Sequence, residues 1–262
     1  MSAAGASAGL VRRNNGRNHY YFLDGVRAPG VTTILRQLPK DALIEWAGRT
    51  TAEYAIDYWD ELAALTPSKR LNRLNRARYE DRDAGANRGT QVHRLAEALV
   101  SGEEVAVPEE LAGHVASYVA FLDTWEPEAV LVEAVLGSRQ SSTRPAYCGT
   151  LDLVADMAGQ RWLLDVKTAR SGIFGETALQ LTAYARAEVY LDNEGNEAKM
   201  AELGIERLGA IHVRADGYDL HGLKYDEETW AVFRHLAWLA RHTEEMRDWV
   251  EPSLEAPAAV AS

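Results

Sequence analysis

The sequence predicts an α/β fold in which a mixed central β-sheet is flanked by helices, with an N-terminal hairpin and a helical appendage in front of that core. Three observations predict it. Apolar residues recur at helical spacing in Val92, Leu95, Ala96 and Leu99 and again between Glu109 and Trp125. Short apolar runs at 130–135, 149–155 and 162–166 then read as strands. A helix and further strands follow, and helix, three strands, helix, strand is an α/β order. No internal repeat or long low-complexity linker divides the chain.

Each element has its own signal. Residues 1–18 are rich in Ala, Gly, Ser, Asn and Arg without an apolar period, and read as a mobile arm. Residues 19–87 form the hairpin and helical appendage. His19 to Ala28 makes the hairpin, turned by Asp24-Gly25. Val31 to Gln37 starts a helical stretch, and Asp41 is the expected N-cap of the next helix. Another helix covers Thr51 to Leu65. Lys69 to Arg88 is the most basic segment, with seven cations against Glu80, Asp81 and Asp83. Residues 88–250 form the core. Its first helix runs from Gly89 to a stop at Gly102, and Pro127 closes the second. After the three strands a long helix spans Phe174 to about Leu191. Strands Leu208–Val213 and Tyr218–Leu223 flank Asp216-Gly217, and a last helix runs from about Glu227 to Trp249. Residues 251–262 read as a flexible tail.

Composition sets limits on the partners. The chain carries a net charge of −11, so a polyanion must be met by a local basic surface or by bound cations. Cys148 is the single cysteine, which excludes an internal disulfide and an iron–sulfur cluster held by four thiolates. A reducing, cytoplasmic setting is expected. No run approaches the roughly 20 apolar residues of a membrane helix. At the N-terminus small residues precede Arg12-Arg13, the reverse of a secretory signal's order. The expectation is a soluble protein with no membrane contact.

The segment that carries chemistry is Gly149-Thr-Leu-Asp152, followed thirteen residues after its aspartate by Asp165-Val166-Lys167-Thr168. Strand side chains alternate faces, so Asp165 and Lys167 point one way while Leu164 and Val166 point the other. Asp152, read as part of the preceding strand, is brought beside Asp165 by a hairpin. Two adjacent carboxylates repel unless they share a proton or hold a hard divalent cation. Carboxylate, carboxylate and lysine on neighbouring strands suit phosphodiester hydrolysis. A cation activates water, and a lysine orients it or offsets developing charge. The bland alternative is a surface Asp165–Lys167 pair. Glu97, one turn after His93, and Glu133, on the first core strand, either support the metal ligands from behind or are ordinary solvated acids, and the plainer reading is the one adopted.

Gly-Thr-x-Asp, then apolar-apolar-Asp-x-Lys-Thr, then Gln180-Leu-Thr-Ala-Tyr184 resembles the PD-(D/E)XK nuclease superfamily. The branch it resembles holds RecB-type nuclease domains, Cas4 proteins and phage exonucleases. Arg88-Gly89-Thr90-Gln91-Val92-His93 is similar to that branch's upstream histidine motif. The motifs span residues 88–184. The resemblance implies a restriction-endonuclease-like core and a Mg²⁺ or Mn²⁺ held by His93, Asp152, Asp165 and the carbonyl of Val166. It implies Lys167 as catalytic lysine, with Gln180 and Tyr184 reaching the phosphate or scissile strand. Cas4 proteins usually carry four cysteines around an iron–sulfur cluster, a feature a chain with Cys148 alone cannot share. The opening segment Tyr20 to Arg36 is similar to the start of Cas4-like exonucleases of actinobacterial phages.

The expected activity is a metal-dependent exonuclease acting at DNA ends in recombination or repair, of phage or prophage origin and working in a bacterial cytoplasm. A recombination or single-strand annealing protein is an expected partner beside DNA. A structure-selective or single-strand endonuclease is the alternative, as is a non-catalytic DNA-binding module on the same fold. The basic segment leads into the His93 helix, so Arg73, Arg76, Arg78 and Arg88 are expected to contact DNA phosphates at the cleft mouth.

Overall fold

The structure, a computed structural model, describes residues 9–15 and 18–254. Strands β1 (Leu10–Asn15), β2 (Asn18–Leu23) and β3 (Val26–Ala28) form an antiparallel meander. Asp24 and Gly25 hold φ of 50° and 80°, the left-handed pair that a type I′ turn needs. The expected hairpin is present. β1 corrects the expected arm: in its described part the segment is a strand, because β2 offers a ladder and Leu10 is a buried anchor. The rest of the arm and residues 255–262 of the expected tail lie outside the described residues.

The helical appendage follows. A short helix α1 (Val31–Ile34) tightens into a 3-10 turn over Leu35–Gln37. Next come α2 (Asp41–Asp57) and α3 (Trp59–Ala63), and then α4 (Pro67–Val100). Asp41 is the first helical residue rather than the cap, a position where its charge still suits the helix dipole. The basic segment and the His93 helix are one continuous 34-residue helix. Neither Gly85 nor Gly89 stops it. Gly89 lies where the helix nears the sheet: a Cβ there would stand 3.3 Å from Thr168 Oγ1. Helix α5 (Ala112–Trp125) ends at Glu126, in the left-handed region before Pro127.

Two sheets make the core. Strands β4 (Glu128–Val132), β5 (Val135–Ser138), β6 (Tyr147–Thr150), β7 (Leu153–Met157) and β8 (Gln160–Lys167) come first. Helix α6 (Glu176–Ala185) stops short of the expected Leu191. The chain beyond it becomes β9 (Val189–Leu191), which pairs with β5 and with β10 (Glu197–Lys199). Strands β11 (Arg207–Arg214) and β12 (Gly217–Leu223) turn through Ala215-Asp216, and α7 (Glu227–Glu245) with a 3-10 turn to Trp249 completes the fold.

The larger sheet runs β12-β11-β8-β7-β4, with β8 and β11 parallel and its other pairs antiparallel. The smaller runs β10-β9-β5-β6. Alternation along β8 sends Leu163 into a cluster with Leu181, Trp230 and Phe233 of α6 and α7. Leu164 and Val166 face Val92, Ala96, Tyr118 and Phe121 of α4 and α5. The mixed sheet is therefore covered by helices on both faces. No helix among the described residues is long and apolar enough to cross a membrane.

Candidate active site

The site lies where two strands leave one sheet for the other. Residues 128–138 and 147–157 run side by side through both sheets, with a bulge between Ala129 and Leu131, and each breaks at the same level. One break is at Glu133-Ala134 and the other at Leu151-Asp152. Glu133 takes φ of 48°, an unusual conformation for a residue with a side chain, and its amide donates to the Asp152 carbonyl at 2.9 Å. The Leu151 amide donates to the Ala134 carbonyl at 2.9 Å. Strands expected at 130–135 and 149–155 are thereby corrected to two strands each. Asp152 sits in the bend, not in regular strand. One ligand atom each of His93, Glu133 and Asp152 lies within 4.8 Å of the others.

Asp165 is brought beside Asp152 as expected, since Leu153 pairs with Leu164 in the β7–β8 hairpin. Its side chain is 2% exposed and lies 2.5 Å from Lys167 Nζ. Gln180 Nε2 donates to Asp165 Oδ1 at 3.0 Å, and Lys167 Nζ donates to Gln180 Oε1 at 3.4 Å. Gln180 Nε2 also reaches the Tyr184 hydroxyl at 3.3 Å. Asp165 Oδ2 is the oxygen that faces the Lys167 ammonium. Asp152 Oδ2 accepts from the Val166 amide at 2.9 Å and lies 3.2 Å from His93 Nδ1. The Val166 amide thereby orients Asp152, beside the metal-ligand role that the resemblance implies for its carbonyl.

The electrostatics follow from this crowding. Burial and then the Asp152 charge push Asp165 up to about 6, against the pull of Lys167. Burial acts on Asp152 in the same sense. There the hydrogen bond and charge of His93, with the Val166 amide, win and hold the carboxyl below its ordinary value. Burial pulls the His93 imidazole down, but Asp152 and then Asp165 keep it above its ordinary value. Glu133 is pushed up to about 7, first by burial and then by Asp152 and Glu97. Three carboxylates and one imidazole crowded together thus favour taking up positive charge. A divalent cation would meet the same need.

Glu133 is the residue that the sequence reading sets aside as a solvated acid; the structure places it within ligand distance of His93 and Asp152. Its signal was a lone charge inside the apolar run Ala129 to Leu136. Glu97 remains exposed, as expected. Two motif residues have packing duties. Gly149 is bare because a Cβ would stand 2.4 Å from Tyr184 Cε1, so the Tyr184 ring lies against the strand within the core. The Thr150 hydroxyl meets the Tyr21 hydroxyl at 2.9 Å and Arg12 Nη1 at 3.3 Å, tying the N-terminal meander to the site.

A cleft of about 940 Å³ opens beside His93 and Lys167. Its lining carries Lys40, Arg82, Arg88, Lys167 and Arg170 against Glu176, a basic patch on an acidic protein. Trp46 and Phe174 add aromatic surface. Arg88 lines the cleft as expected, but Arg73, Arg76 and Arg78 do not. A helix rises about 1.5 Å per residue, which puts these three roughly 22–30 Å up α4 from His93. Arg73 lies 3.9 Å from Glu80, and Arg78 donates to the Tyr79 hydroxyl at 3.1 Å.

No family model matches the sequence, and no curated protein matches it. Among solved structures, SSO0001 is similar over 74% of this chain and 70% of its own, at 12% identity and a TM-score of 0.34. A likeness that low carries no weight here.

Proposed function

We propose that this protein is a Mg²⁺- or Mn²⁺-dependent deoxyribonuclease of the PD-(D/E)XK type, acting as an exonuclease on DNA ends. One observation carries the reading. Asp152 at the bend, Asp165 and Lys167 on β8, Gln180 on α6 and His93 on α4 are joined in one cluster, and its His93 and Lys167 line a basic cleft in a protein of charge −11. His93, Glu133, Asp152 and Asp165 would hold the cation, and oxygen donors with a single imidazole suit Mg²⁺ or Mn²⁺. A cation bound there would polarise a phosphoryl oxygen and lower the pKa of a bound water. Lys167 keeps its charge because burial, which opposes it, is outweighed by Asp165. It can therefore offset charge that develops on the phosphate. Gln180 fixes Asp165 and Lys167 relative to each other. Lys40, Arg82, Arg88 and Arg170 would receive the DNA backbone.

The test is end-labelled linear duplex, single-stranded DNA and closed circular DNA, each incubated with Mg²⁺, Mn²⁺ or EDTA. Release of label from linear DNA with either metal, and none in EDTA, is expected. Full cleavage in EDTA would sink the reading. A second reading has its own support: Trp46 and half-exposed Phe174 beside the basic residues suit stacking of unpaired bases. Cleavage of circular single strands would favour that single-strand endonuclease.

A further inference from the structure

A second cluster of ligand-type side chains lies outside this centre, at the outer edge of the larger sheet. His212 is on β11, and Asp219 and His221 are on β12. The antiparallel register sets His212 opposite Asp219 and His221 opposite Ala210. Residues two apart on a strand share a face, so the three side chains project together. One ligand atom of each lies within 4.8 Å of the other two.

The histidine is oriented for this. His212 is 6% exposed, and its Nε2 lies 2.9 Å from the Ala169 carbonyl. A carbonyl only accepts, so the proton is on Nε2 and the Nδ1 lone pair is turned toward Asp219 and Arg214. Metal-bound imidazoles are commonly fixed in this way through their other nitrogen. A cation already bridges the same two groups. Arg214 Nη1 is 3.2 Å from His212 Nδ1 and 2.5 Å from Asp219 Oδ2.

We propose that His212, Asp219 and His221 form a transition-metal site, with Zn²⁺ or a similar ion taking the place of the Arg214 guanidinium. Two imidazoles and one carboxylate suit Zn²⁺ far better than Mg²⁺, and three protein ligands leave a fourth position for water. Displaced, Arg214 retains Asp216, whose Oδ1 lies 3.5 Å from its Nε. Coordination through Nδ1 spares the bond from Nε2 to Ala169. The metal would thereby secure the loop whose Thr168, Ala169, Arg170 and Ser171 line the cleft.

The test is titration of Zn²⁺ alone, in competition with a chromophoric chelator, into metal-free protein carrying Asp152→Asn. With that aspartate replaced and metal binding as the readout, the result does not depend on whether the protein cleaves DNA. One equivalent is expected to bind in the presence of millimolar Mg²⁺. His221→Ala should weaken binding by at least ~10-fold, the smallest loss expected for a change at a metal site. His221 is exposed, so its loss does not threaten the fold. Arg214→Ala should tighten binding, because it removes the competing cation. Co²⁺ in place of Zn²⁺ should give visible absorption that His221→Ala abolishes. Unchanged affinity in His221→Ala, weaker binding in Arg214→Ala, or no binding in either parent or Arg214→Ala would each overturn the proposal.

Discussion

Two charged regions of this protein, the buried junction around Asp165 and the outer face of α4, satisfy their charges in opposite ways. At the junction partners come from other elements: Asp152 is met by His93 of α4, and Asp165 by Gln180 of α6 as well as by Lys167 two residues on along β8. On α4 the charges settle among near neighbours. Arg82 pairs with Asp83 at 2.7 Å, and Arg78 and Arg82 both lie over the Tyr79 ring at 4.9 Å. Exposed pairs of that kind contribute roughly 0–1 kcal/mol, because water screens them. Buried charges left unmet cost several times more, so a buried cluster has to be assembled by the whole fold. Assembly from afar is the better pointer to a site.

The largest expected effect is on turnover. Lys167→Met should lower the rate on linear DNA by ~10²–10³, the scale for losing one charge-stabilising donor, while metal affinity holds. Asp165→Ala should lose both. Calorimetric Mn²⁺ titration beside the rate assay separates the two roles. Near-normal turnover in Lys167→Met would reduce the lysine to a structural partner of Asp165.

Next in size is packing at the motif glycine. Gly149→Ala places a methyl 2.4 Å from the Tyr184 ring, and overpacking should cost about 1–3 kcal/mol in urea unfolding. Tyr184→Leu in the same chain should recover part of that loss. Additive losses would mean that the ring does not set the need for glycine.

A smaller effect follows from Glu133. The fold holds its carboxyl at about 7, against an ordinary 4.5, so the folded protein binds that proton more tightly than the unfolded chain. The stability gained is complete below 4.5 and is lost as pH rises through about 7. Asp165, held up at about 6, acts in the same sense. Glu133→Gln should therefore stabilise the metal-free protein at pH 8 by ~1–2 kcal/mol, discounted for partial exposure. Urea midpoints at pH 5 and pH 8 in EDTA measure it. An unchanged pH slope would show that another group titrates.

What the sequence made legible was local. Asp165 and Lys167 share a face by strand alternation alone, and Asp24-Gly25 turns a hairpin by its own backbone preference. Alternation failed for Asp152 and Glu133 because both occupy the shared kink between sheets. No glycine or proline marks the break there; a left-handed glutamate makes it. Gly89 misled in the other direction. It looked like the start of a helix but serves close approach to Thr168 within a longer one. The end of α6 at Ala185 was hidden as well, since Val189 to Leu191 becomes strand only through partners on β5 and β10.

The smallest effect tests which arginines meet DNA. Arg82 and Arg88 line the cleft, whereas Arg73, Arg76 and Arg78 stand farther up the same helix. Arg88 and Arg170 lie close enough to His114 that, after burial, their charges hold its imidazole below the ordinary value. Among the described residues neither arginine is in an ion pair, unlike Arg73 and Arg82. Unpaired cations gathered in one cleft are the ones a phosphate backbone would relieve. Each phosphate contact adds roughly 0.7–0.9 to the slope of log affinity against log salt. Arg88→Ala with Arg170→Ala should therefore flatten that slope by about 1.4–1.8. Replacing Arg73, Arg76 and Arg78 with Ala should leave it nearly parallel to the parent's. Affinities are measured in Ca²⁺, to support binding without cleavage, across a salt series. A steeper loss from the outer three than from the cleft pair would move the DNA path out along α4 and away from the cleft.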